Sequence, residues 1–360
     1  MQNEKAPKDL KVPSFFAASN SGRGFISYFG KIFSRDRFER VYILKGGPGT
    51  GKSSLMKQAL RTAVSHGYEC ESILCSSDPS SYDGVIIKKP QGYIAILDGT
   101  APHTTDPEIP GAVDEIINLG EFWCESALDA KRQAITELIR KKSSCYSCAY
   151  AMLKAAESYA SQKRKLLSYC IDEEKLSRVT DRILSGISCK KERSFPEYKL
   201  KHAISADGYV ATDIYSSEDG FHFAVCGIHG AAFAFFDMLY TAAKKKGVPI
   251  TLSPSPLSPD IYDAAAFSEK QVYFCFDDEG KDERYDKIIN TERFLGEGKL
   301  REIKPTLRLL SRLERDALGS AIKMLECAKA HHFELEDIYI SAMDFEKKEK
   351  MQNDLIQRII

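Results

Sequence analysis

The chain has 360 residues, about two domains' worth at roughly 100–200 residues each, and its 51 Lys plus Arg balance 51 Asp plus Glu to a net charge of zero. That balance excludes a bulk electrostatic pull toward nucleic acid or an anionic membrane. With 43% hydrophobic and 28% charged residues the composition is that of a globular protein, which excludes disordered, collagen-like and fibrous classes.

Met1 to Val12 is polar, carries no apolar run of the kind a secretory signal needs, and reads as a frayed tail. Ten cysteines without a signal then predict reduced thiols and a cytoplasmic protein. Cys145 and Cys148 form a lone C-x-x-C. No second pair or His pair stands at zinc spacing, and Cys148 begins a helical stripe through Met152, Ala156, Tyr159, Leu166 and Cys170, so the two read as small core residues rather than a metal or redox site. Phe221 to Ala243 is apolar but is interrupted by His222, His229 and Asp237 and broken at Gly227 and Gly230. It reads as a strand, loop and helix, not a membrane span.

The most informative segment begins with the apolar run Val41 to Leu44 and continues through Lys45, Gly46, Gly47, Pro48, Gly49, Thr50, Gly51, Lys52, Ser53 and Ser54. Residues 46–53 satisfy G-x-x-x-x-G-K-[ST], with a β-branched run before and a helical pattern after, as this phosphate-binding loop requires. The glycines let backbone N–H groups approach phosphate oxygens, and the following helix turns its positive end to the same anion. Lys52 is predicted to contact the β- and γ-phosphates and the Ser53 hydroxyl to ligate Mg²⁺.

A second apolar strand, Gly92 to Leu97, ends in Asp98, the predicted second metal ligand and Walker B carboxylate. The next residue is Gly99, so the water-activating Glu that many P-loop ATPases carry there is missing. In the loop that follows, His103 is the candidate for orienting water or touching the γ-phosphate, with Asp106 and Glu108 as alternatives.

The chain also resembles itself. At an offset of 180, residues 40–100 align with 220–280 without a gap, matching Gly47 with Gly227, Tyr82 and Asp83 with Tyr262 and Asp263, and Asp98 with Asp278. Beyond Asp98 the offset becomes 172, pairing Ile116, Ile117 and Asn118 with Ile288, Ile289 and Asn290. A tandem duplication follows: 1–190 as an active domain and 191–360 as a degenerate copy. Lys52 and Ser53 correspond to Ala232 and Phe233, and the eight residues missing from the second copy are about those of the His103 loop. The second site is therefore predicted to bind no nucleotide triphosphate. Tyr82 and Asp83, which persist in that copy, read as structural.

On Lys45 to Ser53 and Asp98 to His103, the chain resembles the P-loop NTPase superfamily. More closely, it is similar to an uncharacterised bacterial family of tandem P-loop proteins carrying K-G-G-P-G-T-G-K-S and D-G-T-A-P-H. The resemblance implies ATP binding, described loosely as ATPase or nucleotide kinase. Ala232 and Phe233 depart from relatives that keep a usable loop in both halves.

The predicted fold is α/β: two tandem P-loop NTPase-like α/β/α domains. Each has a small mainly parallel sheet, with strands near 15–18, 41–45, 69–75 and 93–98 and near 200–205, 221–225, 248–252 and 271–276. Each also has a long helical hairpin, made of 127–142 and 145–170 in the first half and repeated at 304–330 in the second. Three functions compete: a Mg-ATP-dependent slow ATPase, a nucleotide, nucleoside or other small-molecule kinase, for which no compact lid with paired arginines stands out although Arg178, Arg182 and Arg193 could serve, and a nucleotide-dependent interaction switch. The hairpins leave room for a second copy or a protein partner. An activating arginine could come from Arg23, Arg35, Arg37 or Arg40, from the second half, or from another subunit.

Overall fold

The computed structural model describes residues 12–187, 196–215, 219–227, 230–277 and 284–360. The fold is mixed α/β, with two six-stranded sheets and long helices. In the first half, β1 (Ser14–Phe16) precedes a hairpin of β2 (Ala18–Ser21) and β3 (Gly24–Ser27), then α1 (Phe29–Ile32) and β4 (Phe38–Lys45). Next come α2 (Lys52–Ser65), β5 (Glu69–Leu74), β6 (Tyr82–Lys89), β7 (Gly92–Asp98) and β8 (Asp114–Asn118). The sheet order is β1-β5-β6-β7-β4-β8, with β6 antiparallel to both neighbours and every other pair parallel.

β4 and β7 are buried on both faces, which explains their unbroken apolar runs. α2 instead buries one stripe, Leu55, Met56, Ala59, Leu60 and Ala63.

The helices α3 (Glu125–Asp129), α4 (Arg132–Ser168) and α5 (Glu173–Ser185) lead to the second half, which begins with β9 (Glu197–Tyr198) and the hairpin of β10 (His202–Ser205) and β11 (Gly208–Ala211). It continues with β12 (Phe221–Cys226), α6 (Ala232–Lys246), β13 (Thr251–Pro254), β14 (Tyr262–Phe267), β15 (Val272–Phe276) and β16 (Lys287–Asn290). Its sheet order, β16-β12-β15-β14-β13-β9, reproduces the first sheet strand for strand. The chain ends with α7 (Glu297–Ile340) and α8 (Phe345–Ile359).

Several expectations need correction. Each sheet has six strands rather than four. Residues 82–89 and 114–118, and their counterparts 262–267 and 287–290, are strands. Residues 202–205 belong to a hairpin outside the main sheet, which 197–198 enter instead. The expected hairpin of 127–142 with 145–170 does not form. Ser143 and Ser144 interrupt nothing, and Arg132–Ser168 is one helix of 37 residues. Its antiparallel partner is α7, about 66 Å long from its 44 residues and containing Pro305 near its start. The apolar face of α4 is Ala149, Leu153, Ala156 and Ala160, while Cys148 is exposed.

The helical tails cross between halves. Leu176 and Leu184 of α5 pack with Phe235 and Phe236 of α6, whereas Leu355, Ile356 and Ile359 of α8 pack with Leu55, Met56 and Ala59 of α2. The crossing points repeat at the offset of 172. Asp172 N–H bonds Phe294 O and Asp344 N–H bonds Phe122 O, each at 2.8 Å. Asp172 and Asp344 then cap their helices, accepting from the N–H of Lys175 and Lys347. Neither half is closed without a helix from the other.

Candidate functional site

β4 delivers the chain into the glycine-rich loop, which reverses through Gly49 (φ 71°) and Gly51 (φ 78°) before α2 begins at Lys52. Both glycines stand in the left-handed region, where a Cβ is strained. No side chain caps the N-terminus of α2 and no acidic residue lies in its first turn. Its first N–H groups, beginning at Lys52, Ser53 and Ser54, therefore lack intrahelical acceptors. Pro48 stiffens the approach, and the buried Thr50 ties the loop by donating from Oγ1 to Gly47 O at 2.9 Å.

Lys52 Nζ donates to Gly46 O and Gly47 O, both at 2.8 Å, and lies 3.7 Å from Asp98 Oδ2. Its ammonium thus sits in the mouth of the loop, beside the carboxylate at the end of β7. Ser53 Oγ accepts from Tyr82 N–H at 3.0 Å, which fixes the hydroxyl next to the start of β6. Asp98 Oδ1 accepts from Thr100 N–H at 2.8 Å and Oγ1 at 2.6 Å, while Oδ2 faces Lys52.

The 99–106 loop is held down by Lys45, a residue not singled out for any role in the motif. Its Nζ donates to Gly99 O and Thr105 O at 2.8 Å and pairs with Asp106 at 3.1 Å. Asp114 Oδ2 fixes the far end by accepting from the N–H groups of Glu108 and Ile109, and Asp114 pairs with buried Arg35 at 2.7 Å. Asp106 and Glu108 are thereby placed at the loop's anchors.

His103 is carried inward and buried, stacked on Phe29 with ring centroids 4.8 Å apart. Neither of its ring nitrogens has a hydrogen-bond partner among the described residues, and Nε2 lies 3.9 Å from Asp83 Oδ1. Asp83, Asp98 and His103 present ligand atoms within 4.8 Å of one another. Burial pushes the Asp83 carboxyl up to about 6, against the pull of His103 and with the help of the Asp98 charge.

Asp83 therefore stands at the site. Its recurrence as Asp263 points to a structural role; the signal that places it here is β6, whose antiparallel pairing sets Gly84 opposite Leu97, one residue from Asp98. In the second half Asp263 meets a different histidine, accepting from Ser253 Oγ at 2.6 Å and lying 2.8 Å from His202 Nδ1.

The second half also corrects the alignment. Leu44 pairs with Asp98 and Ile117, and the matching residue Val225 pairs with Phe276 and Ile289. Asp98 thus corresponds to Phe276, not to Asp278, which lies outside the described residues. Phe233, in the place of Ser53, packs on Phe276 with centroids 5.2 Å apart. A hydroxyl and a carboxylate in one half are replaced by two touching phenyl rings in the other.

The end of α7 lies over the glycine-rich loop. A Cβ on Gly49 would come within 2.8 Å of Ile340, and one on Gly47 within 3.2 Å of the Trp123 ring and 3.7 Å of Tyr339. Buried Lys348 of α8 reaches the same loop, with Nζ 3.0 Å from where a Gly51 Cβ would stand. Its charge is held by Gln352. Burial, Lys142 and Lys52 push His332 of α7 down to about 4.

The four arginines before the loop are engaged elsewhere. Arg35 pairs with Asp114, Arg37 with Glu197, Arg23 with Asp260, and Arg40 donates to Gly111 O. Arg178 and Arg182 lie on α5 against the second half, and Arg193 lies outside the described residues.

Comparison with protein-family models, with curated proteins and with solved structures returns no match. No helix among the described residues is long and apolar enough to cross a membrane.

Proposed function

We propose that the chain is a Mg-ATP-binding P-loop protein with one nucleotide site, in the first half, and that it hydrolyses ATP slowly. The observation that carries this reading is the meeting of Lys52 and Asp98, 3.7 Å apart, at the mouth of a glycine loop that opens onto an uncapped helix N-terminus. The donor set suits a metal-bound triphosphate: helix N–H groups, an ammonium, two hydroxyls and a carboxylate at the end of the adjacent strand. Gly46 to Ser54 would hold the phosphates, and Ser53 and Asp98 the Mg²⁺, which when bound neutralises phosphate charge.

In this reading Lys52 exchanges its contacts with Gly46 O and Gly47 O for phosphate oxygens. His103 is the residue that orients water: its two ring nitrogens have no partner among the described residues, and it lies within the same cluster as Asp98. Burial against Phe29 holds the ring in place and keeps bulk water from it.

The second reading, a nucleotide-dependent switch, is favoured by the seating of Tyr339 and Ile340 on the loop. A phosphate arriving there acts directly on α7, which belongs to the other half. The kinase reading draws no support from Arg178 or Arg182, which stand on α5, a helix packed on α6 of the second half.

Phosphate release from Mg-ATP by the full chain separates these readings. Slow release abolished by Lys52→Ala supports the ATPase, tight binding without release supports the switch, and release that needs an added nucleoside supports the kinase.

A further inference from the structure

We infer that a soft divalent metal, Zn²⁺ in the first instance, binds between α4 and α7 at Cys145, Cys327 and His331. The three present ligand atoms within 4.8 Å of one another, and the two thiol sulfurs are 2.9 Å apart. Cys327 and His331 are one helical turn apart and share a face of α7. Cys145 faces them from α4. His331 Nδ1 lies 3.1 Å from Glu334 Oε1, the carboxylate–imidazole arrangement that orients a metal-bound histidine, and this leaves Nε2 for the metal.

Cys148 is one turn along α4 from Cys145. It is the candidate fourth ligand. Tetrahedral Zn²⁺ with bonds of about 2.3 Å sets sulfurs about 3.8 Å apart, so the thiols need to open by about 0.9 Å.

The duplication makes the cluster informative. At the offset of 172, Cys145, Cys327 and His331 correspond to Ala317, Ala155 and Tyr159. The same helix pair therefore packs at the equivalent place without thiols, and packing alone does not call for them.

An interhelical disulfide is the rival use of the two sulfurs. It gives His331 and Glu334 no part, and it needs an oxidant to take two electrons along with the two thiol protons. A metal displaces those protons: Zn²⁺ binding by Cys145 and Cys327 releases two H⁺, and three if Cys148 joins. The tie would join α4 to α7 about 14 Å along the helix from Ile340.

The test uses the full chain, reduced and freed of metal, titrated with Co²⁺ and then Zn²⁺. The expected result is one Co²⁺ per chain with thiolate charge-transfer and tetrahedral d–d bands, displaced by one Zn²⁺. Cys145→Ser, Cys327→Ser and His331→Ala should each weaken binding at least 10-fold, Cys148→Ser should weaken it less, and Cys226→Ser should leave it unchanged. The wild-type spectrum is decisive even where a variant misfolds. Absence of thiolate bands in the folded wild-type chain overturns the site. So does metal binding that survives the Cys145→Ser/Cys327→Ser double variant, or a Cys145–Cys327 disulfide that forms in air while Zn²⁺ is present in excess.

Discussion

Phe16 and Leu200 are hydrogen-bonded to each other, N–H to C=O in both directions at 2.9 and 3.0 Å, and they hold the same place in their two halves. Ser14 pairs with Ser72 as Tyr198 pairs with Leu252, so the residue two further on is Phe16 in one sheet and Leu200 in the other. The chain is a pseudo-dimer with its approximate axis at this pair. The flanking hairpins follow suit: Tyr28 N–H bonds Ala17 O as Thr212 N–H bonds Lys201 O, and Asn20 Nδ2 reaches across to Ile204 O.

Beside that axis Lys199 Nζ bonds both oxygens of Glu71, at 3.0 and 2.9 Å, and Lys88 also pairs with Glu71 at 3.0 Å. Burial alone would raise the Glu71 carboxyl, but the two lysines hold it below its ordinary value. A depressed carboxyl contributes stability above its unfolded pKa, about 4.3, and loses it as pH falls through the lower folded value. Lys199→Ala should cost about 1–2 kcal/mol at pH 7 and progressively less below about pH 4. Urea unfolding at pH 7 and pH 3 checks it, and an equal loss at both would show that the charge pair is not the cause.

The crossed helices make a second expectation. Ile356→Ala in α8 should destabilise the protein by about 2–4 kcal/mol. The loss of amide protection should fall first on α2, nearly 300 residues earlier in the chain, because Ile356 packs there. Hydrogen exchange showing the loss first in α6 would exclude the crossing.

Gly49→Ala places a methyl 2.8 Å from Ile340 and 2.9 Å from Glu336 O, at a φ of 71°. We expect a cost of about 1–3 kcal/mol. Adding Ile340→Ala should recover part of it, the side-chain collision, but not the backbone strain. Thermal unfolding of the two single variants and the double variant measures the coupling.

His103→Ala should lower the turnover of ATP about tenfold or more while leaving ATP affinity nearly unchanged. Wild-type turnover in that variant would return His103 to the role of a packed ring against Phe29.

The loop, its strand and the β7 strand were legible because each is encoded locally: apolar residues buried on both faces, then glycines, then a helical stripe. Pairing between segments distant in sequence leaves no such local mark. β6 carries Gly84, Lys88 and Lys89 around a short apolar run, and its place between β5 and β7 is decided by neighbours rather than by its own pattern. The gapless offset paired Asp98 with Asp278 because it could not register the two-residue shift that brings Phe276 into that place. Helical periodicity marks the apolar face of α4 but not its partner, so it suggests a hairpin within one half where α4 and α7 pair across halves. The recurrence of Asp83 as Asp263 suggests a structural role, yet it fixes a buried position whose chemistry differs according to the histidine near it.

Calorimetric titration of Mg-ATP into the full chain and into Lys52→Ala decides whether the glycine-rich loop of the first half is the nucleotide site. One nucleotide per wild-type chain, with affinity lost at least 100-fold in Lys52→Ala, is the predicted result. Unaltered affinity in Lys52→Ala, or two nucleotides per wild-type chain, would contradict it.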